Sequence, residues 1–296
     1  MLEVKGITRS FGDLQVLSDV GFDVPAGTLT GIVGGRDAGK TTLLRILAGL
    51  LDADDGSVLL DGEALDGVDL QRVGYLPQQR GLYPSMRVAQ QLVYIGRLHG
   101  FSLGAAERNT HTLLEKLGIA DFADLRLDSL GLGDRQRVQI AATLVHDPDV
   151  IMLDAPFEGL DTGAVDDIIE VLGGHAESGV PIVLTTTELG VVEGVTDNLV
   201  ILQDGEVQAE AATNELLVPT GRFEIEASAG LDWLGNVSGV TVDELDGNYA
   251  RFSVADEADR ADVSQRVLQK ALGLGTVTHF SAEAPTIDEL ARTTAV

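Results

Sequence analysis

Gly34-Gly35-Arg36-Asp37-Ala38-Gly39-Lys40-Thr41-Thr42 follows the apolar run Leu29-Thr30-Gly31-Ile32-Val33 and precedes the helical pattern of Leu43, Leu44, Ile46 and Leu47. It fits G-x-x-x-x-G-K-[ST], a strand-to-helix loop that cradles phosphates. Glycine is needed there because backbone N–H groups must turn toward an anion at close range. In this pattern Lys40 reaches the β and γ phosphates and the Thr41 hydroxyl ligates Mg²⁺. The helix beginning near Lys40 points its positive dipole end at the same anion.

Upstream, residues 3–24 alternate as two strands through Val4, Ile7, Val16, Val20, Phe22 and Val24, around Arg9-Ser10-Phe11-Gly12-Asp13. Downstream, Asp55-Gly56 and Asp61-Gly62 bound a strand, and Pro77 stops another over Val73–Leu76. From Val88 to His146 the apolar period turns helical. Val150-Ile151-Met152-Leu153-Asp154 is a wholly apolar strand of the kind buried in a parallel sheet. A helix over Val165–Ala176, a strand over Ile182–Thr185 and a hairpin over Asn198–Ala209 continue the alternation. This order predicts an α/β fold with a mostly parallel sheet and a helical subdomain inserted at about 82–146.

The character changes after residue 213. A linker is expected at 214–222, around Pro219-Thr220-Gly221, followed by a small α+β domain over 223–296. Its expected strands are Phe223–Ala227, Val240–Leu245, Tyr249–Val254 and Thr276–Phe280; its helices are Leu231–Leu234, Ala261–Leu272 and Thr286–Ala291. Phe223 and Trp233 read as core, and the domain shows no catalytic constellation.

Composition narrows the setting. The 296 residues are 44% hydrophobic, enough for a real core, with no apolar run of membrane-spanning length. The N-terminus enters a strand pattern directly, with no signal peptide expected. Cysteine is absent, which removes disulfides and thiolate metal sites. The net charge of −27 disfavours non-specific nucleic-acid binding. Only four residues are lysine, at 5, 40, 116 and 270; an acidic, lysine-poor surface favours a salt-adapted (halophilic) protein over an ordinary acidic one, since molar salt screens self-repulsion.

The motif order over residues 1–213 resembles the ATP-binding subunits of ABC transporters. Gly74-Tyr75-Leu76-Pro77-Gln78 matches the Q-loop, Leu130-Gly131-Leu132-Gly133-Asp134-Arg135-Gln136-Arg137 the signature, Asp154 the Walker B aspartate, and Gly159-Leu160-Asp161 the D-loop. Thr187 stands at the switch-histidine position. The resemblance implies a P-loop NTPase (ABC ATPase) fold, with ATP contacted by Phe11, Val16 and Gly34 through Thr42, Phe11 stacking on adenine. It implies Mg²⁺ at Thr41, Gln78 and Asp154, and trans-dimer contacts from Leu130, Gly131, Leu132, Gly133, Asp134 and Asp161. Implied partners are a separate membrane permease and a second cassette, in a homodimer or heterodimer with no nucleic acid, peripheral on the cytoplasmic face of the membrane. Arg80-Gly81-Leu82-Tyr83-Pro84, His146-Asp147-Pro148-Asp149, Pro156-Phe157 and Ala284-Pro285-Thr286-Ile287-Asp288-Glu289-Leu290 look like exporter subunits with a small C-terminal extension.

The departures from that family concern chemistry. Arg36 replaces an asparagine and Asp37 a glycine; a carboxylate about 6 Å from a phosphate charge costs about 3 kcal/mol at an effective dielectric of about 20. Ala155 stands where the family places a water-polarising glutamate, a loss that commonly costs about 10²–10⁴ in rate. Thr187 lacks the reach and charge of imidazole, and none of the five histidines lies in that motif. Glu158 reads as a loop charge rather than a substitute base. The signature serine is Gly131, Leu132 replaces a small or polar residue, and Asp134 adds negative charge at an anion-facing helix start. No catalytic residue is assigned. The expected function is an ATP-binding transporter subunit with weak hydrolysis in cis. The alternatives are an ordinary transport ATPase, a catalytically inactive regulatory partner, and a soluble ABC protein without a membrane partner.

Overall fold

The computed structural model describes the chain except residues 66–69, 80, 188, 193, 217–220, 255–258, 284–289 and 291–296, and of Leu70, Leu189 and Val191 only the backbone. Arg80, Glu188, Pro219, Thr220 and the expected helix Thr286–Ala291, save Leu290, therefore lie outside the described residues. The chain divides into two compact units, Met1–Leu216 and Leu217–Thr286, and Leu290, expected in the C-terminal domain, groups with the first.

The first unit runs β1 (Leu2–Phe11), β2 (Leu14–Val24), β3 (Leu29–Val33), α1 (Lys40–Leu47), β4 (Asp55–Leu60), β5 (Glu63–Ala64), β6 (Val73–Leu76), α2 (Val88–Leu98), α3 (Leu103–Lys116), α4 (Leu132–Leu144), β7 (Val150–Asp154), α5 (Thr162–Glu177), β8 (Ile182–Thr186), α6 (Leu189–Val192), β9 (Asn198–Gln203), β10 (Glu206–Ala212) and α7 (Thr213–Leu216). Six strands form one sheet in the order β10-β9-β3-β8-β7-β6, parallel except for the β9–β10 hairpin. β3 and β7 are buried at every position, as continuous apolar runs in a sheet covered on both faces must be. The N-terminal strands do not join it. They form a separate antiparallel sheet, β2-β1-β4-β5, whose alternating pattern fits one buried face.

Helix α1 sits in the core shared by the two sheets. Its Leu43, Leu44, Ile46 and Leu47 pack in one cluster with Leu2, Val4 and Leu17 of the antiparallel sheet and Ile32, Met152 and Val183 of the parallel one. Eight residues are too few for a stable isolated helix; burying these four side chains contributes roughly 8 kcal/mol and decides the matter. Helices α2, α3 and α4 come from the segment of helical period, as expected. Helix α5 starts three residues earlier than the apolar pattern indicates, because Asp161 caps it by accepting from the Ala164 N–H at 2.9 Å.

In the second unit β11 (Arg222–Ala227), β12 (Thr241–Asp246), β13 (Tyr249–Ser253), α8 (Arg260–Leu274) and β14 (Val277–Ala282) build an antiparallel sheet ordered β12-β13-β11-β14. Phe223, Ile225 and Phe252 of the sheet and Val263, Val267 and Ala271 of α8 form its core, against which Trp233 packs half-buried. The Lys270 ammonium lies 4.5 Å from the Trp233 ring centroid, a cation–π contact.

Candidate functional site

Adjacent parallel strands end at one edge in the order β3, β8, β7, β6. The connections that leave them there carry the glycine loop, Thr187, Asp154 with Ala155, and Gln78 respectively, the C-terminal edge where open α/β sheets bind ligands. Sequence-distant residues thus meet because their strands are neighbours.

The loop is shaped by glycines. A Cβ on Gly34 would lie 2.2 Å from the Leu202 carbonyl oxygen, and one on Gly39 would lie 2.8 Å from Leu17 Cδ2 and 3.0 Å from Val16 O. Gly39, at φ 97°, is the N-cap of α1, so the helix begins with no side-chain cap and its first N–H groups are left for an external acceptor. Asp37 also takes a left-handed backbone, at φ 68°, which Asp tolerates better than most residues. Ala38 is buried, Thr41 and Thr42 are half-buried, and Gly35, Arg36 and Asp37 are exposed. The exposure of Asp37 lowers the expected penalty toward a phosphate, since a water-like dielectric reduces it to about 1 kcal/mol.

Lys40 folds back over its own loop, donating to the carbonyls of Gly34 at 2.8 Å and Gly35 at 2.7 Å. Burial pushes its pKa below the ordinary lysine value, while the carboxylates of Asp154 and then Asp37 pull it upward. Asp154 is 3% exposed. Its Oδ1 accepts from the Thr185 hydroxyl at 2.6 Å, and its Oδ2 is buried with no hydrogen bond from any described residue. A buried carboxylate oxygen left bare is a place for a hard cation. Thr41, Gln78 and Asp154 supply the oxygen donors Mg²⁺ prefers, so the residues fit that ion.

Ala155 follows at φ 50°, its N–H held by Thr185 Oγ1 at 3.1 Å. Glu158 is exposed on the next turn, and Thr187 is exposed in a bend after β8. Neither Ala155 nor Thr187 carries a group that accepts a proton near neutral pH. Phe11 ends β1, 46% exposed, with the Arg9 guanidinium carbon 4.9 Å from its ring centroid. Val16 is half-buried, its carbonyl against Gly39 and Gly205.

Helix α4 carries the signature stretch. Leu130 is buried, Gly131 is the N-cap, and Leu132 projects 63% exposed. Gly133 packs near Leu160, which precedes the capping Asp161. Asp134 does not present a free charge at this helix start, contrary to the sequence expectation: Arg137, one turn on, pairs with it at 2.8 Å. Two further residues of α4 tie it to the sheet edge. Gln136 Nε2 donates to Pro156 O at 3.1 Å and Gln139 Nε2 to Pro77 O at 3.3 Å, in the connections after Asp154 and before Gln78. Sequence reasoning gave these glutamines and Thr185 no role. The available signal was polar residues in otherwise apolar helical and strand patterns.

Residues 17–158 match a family model described as ABC transporter. The chain is 30% identical, over 98% of its own length and 97% of the relative's, to the uncharacterized ABC transporter ATP-binding protein YhaQ of Bacillus subtilis. It is 35% identical to the Nod factor export ATP-binding protein I of Burkholderia lata, over 73% of this chain and 72% of that one. A solved ATP-binding subunit of an ABC transporter superposes with a TM-score of 0.68 at 26% identity, covering 73% of this chain and 91% of the other.

Proposed function

The chain belongs to the ATP-binding proteins of ABC transporters, and from that premise we propose that it binds Mg-ATP at Gly34–Thr42 and couples nucleotide-dependent dimerisation to a separate permease in export, with slow hydrolysis in cis. The observation that carries the binding reading is the bare, buried Asp154 Oδ2, whose carboxylate acts electrostatically on Lys40, the lysine of a loop that only glycine at 34 and 39 lets lie so close to Leu202 and Leu17. Phe11 is the platform for the adenine ring, and the uncapped start of α1 faces the phosphates. Thr41, Gln78 and Asp154 hold Mg²⁺, which supplies charge neutralisation of the phosphates.

Slow hydrolysis rests on Ala155 and Thr187. Binding and water activation use different groups, so a chain can keep the first and lose most of the second. Export is supported by the likeness to a Nod factor export protein and by strings such as His146-Asp147-Pro148-Asp149. Among the described residues no helix is long and apolar enough to cross a membrane; the likeness to transporter ATP-binding proteins supports a separate membrane-spanning partner, with this chain peripheral on its cytoplasmic side. The exposed Leu132 and the N-cap Gly131 lie on the surface offered to a second cassette, its own copy or a homologue.

Calorimetry of Mg-ATP with the purified chain in about 1 M KCl, which screens its net charge, tests the reading. Saturable binding that Lys40→Ala weakens at least about tenfold supports it. A folded chain that takes up no ATP at millimolar concentration overturns it.

A further inference from the structure

Strands β7 and β8 pair in parallel with Asp154 opposite Thr185. Thr185 is 1% exposed, and its hydroxyl makes two bonds: Oγ1 donates to Asp154 Oδ1 at 2.6 Å and accepts from the Ala155 N–H at 3.1 Å. A hydroxyl has one proton, so committing it to Asp154 while Ala155 engages a lone pair fixes its rotation. The β-branch stiffens the side chain further, since Thr has few accessible χ1 rotamers in a strand. One carboxylate oxygen is thereby occupied and the other, Oδ2, is left bare and buried.

We propose that Thr185 is a positioning residue for the cation of Mg-ATP, its hydroxyl locking the Asp154 carboxylate so that Oδ2 alone is presented to the metal. This rests on the Mg-ATP reading above. Without the hydroxyl, Oδ1 loses its donor and the carboxylate is free to turn about its terminal torsion. The same bond holds the backbone of Ala155, so one side chain sets both residues at the end of β7. Second partners of this kind commonly contribute about 10–100-fold to metal affinity.

The test is the affinity for ATP, measured calorimetrically with Mg²⁺ and again in EDTA, for wild type, Thr185→Val, Thr185→Ala and Thr185→Ser. The valine variant preserves shape and removes the hydroxyl; the alanine variant serves if valine does not fold, as judged by thermal melting. The expected result is that removing the hydroxyl lowers the Mg²⁺-dependent gain in affinity about tenfold. ATP affinity in EDTA changes less than about twofold, and serine restores the gain. Asp154→Asn should lose the same gain, and adding Thr185→Val to it should lose no more. A hydroxyl-free variant that keeps the wild-type Mg²⁺ gain overturns the role of Thr185 alone. So does one that loses affinity equally with and without Mg²⁺. A wild-type chain that binds no ATP, or binds it without any Mg²⁺ gain, overturns the Mg-ATP reading itself.

Discussion

The backbone of Gly34 runs against the carbonyl of Leu202, whose oxygen would stand 2.2 Å from a Cβ at position 34. No side chain fits that gap without moving either the loop or β9. Gly34→Ala is therefore expected to destabilise the first unit by about 2 kcal/mol, as overpacking does. That corresponds to a fall of about 6 °C in Tm for a unit of this size. Thermal melting and ATP titration of the variant check it; an unchanged Tm with unchanged binding contradicts the close approach.

Asp37 combines a left-handed backbone with a carboxylate on an anion-binding loop. Asp37→Gly relieves both, and Mg-ATP affinity should rise about three- to fivefold, in line with the roughly 1 kcal/mol expected for an exposed charge. Calorimetry at low and high KCl separates the contributions, because salt screens the charge effect and leaves the backbone effect in place.

Ala155→Glu combined with Thr187→His restores a proton acceptor after Asp154 and an imidazole after β8. Steady-state ATP turnover should increase about 10²-fold or more with little change in Mg-ATP affinity. Wild-type turnover already as fast as that of the double variant would sink the assignment of slow hydrolysis to these two positions.

His146 and His99 stack with ring centroids 3.8 Å apart, and His146 Nε2 lies 3.2 Å from the Val73 carbonyl. Burial, then the neighbouring His99, push the His146 pKa down to about 4, with the Val73 carbonyl and then the carboxylate of Asp147 opposing. An unfolded histidine takes its proton near pH 6.5. Between these values the unfolded chain holds more protons, so the stability contribution is complete above about pH 6.5 and is lost as pH falls toward 4. On passing from pH 7 to 4.5 the wild type should lose about 2–3 kcal/mol more stability than His146→Asn, read from urea midpoints. Parallel losses in the two proteins would show that His146 is not the titrating group.

The charge of −27 is a prediction about solvent as much as about sequence. Self-repulsion at low ionic strength should lower Tm, and KCl raised from about 0.1 to 2 M should raise it by several degrees while the Debye length falls from about 10 to 2–3 Å. Sucrose, which strengthens burial without screening charge, separates this from general exclusion effects.

Much of the fold and of the phosphate loop is legible in the sequence. Val150–Leu153 reads as a buried strand because no polar side chain interrupts it, Leu29–Val33 as the strand that feeds the loop, and Gly34–Thr42 as a phosphate loop because glycine and lysine spacing encodes its geometry. The membership of β1, β2 and β4 in a separate sheet was not legible, since alternation tells which residues are buried and not which strands pair. Thr185 was invisible for a related reason. Its importance arises from facing Asp154 across a strand pair whose members are about thirty residues apart in sequence, a register no local pattern specifies. The negative charge that Asp134 adds at the start of α4 is matched by Arg137, one turn along, a pairing visible in the i, i+3 spacing.

Ala155 holds φ 50° with its N–H tethered to Thr185, so the main chain there has already adopted the posture that any non-glycine residue would have to take. Exchanging alanine for a longer side chain changes the reach of that position without re-routing the chain. The capacity to activate water thus behaves as a plug-in part. The side chain at this position is exchangeable by a single codon while the backbone that carries it is held by a neighbouring strand, so reactivity and fold are set there by separate residues.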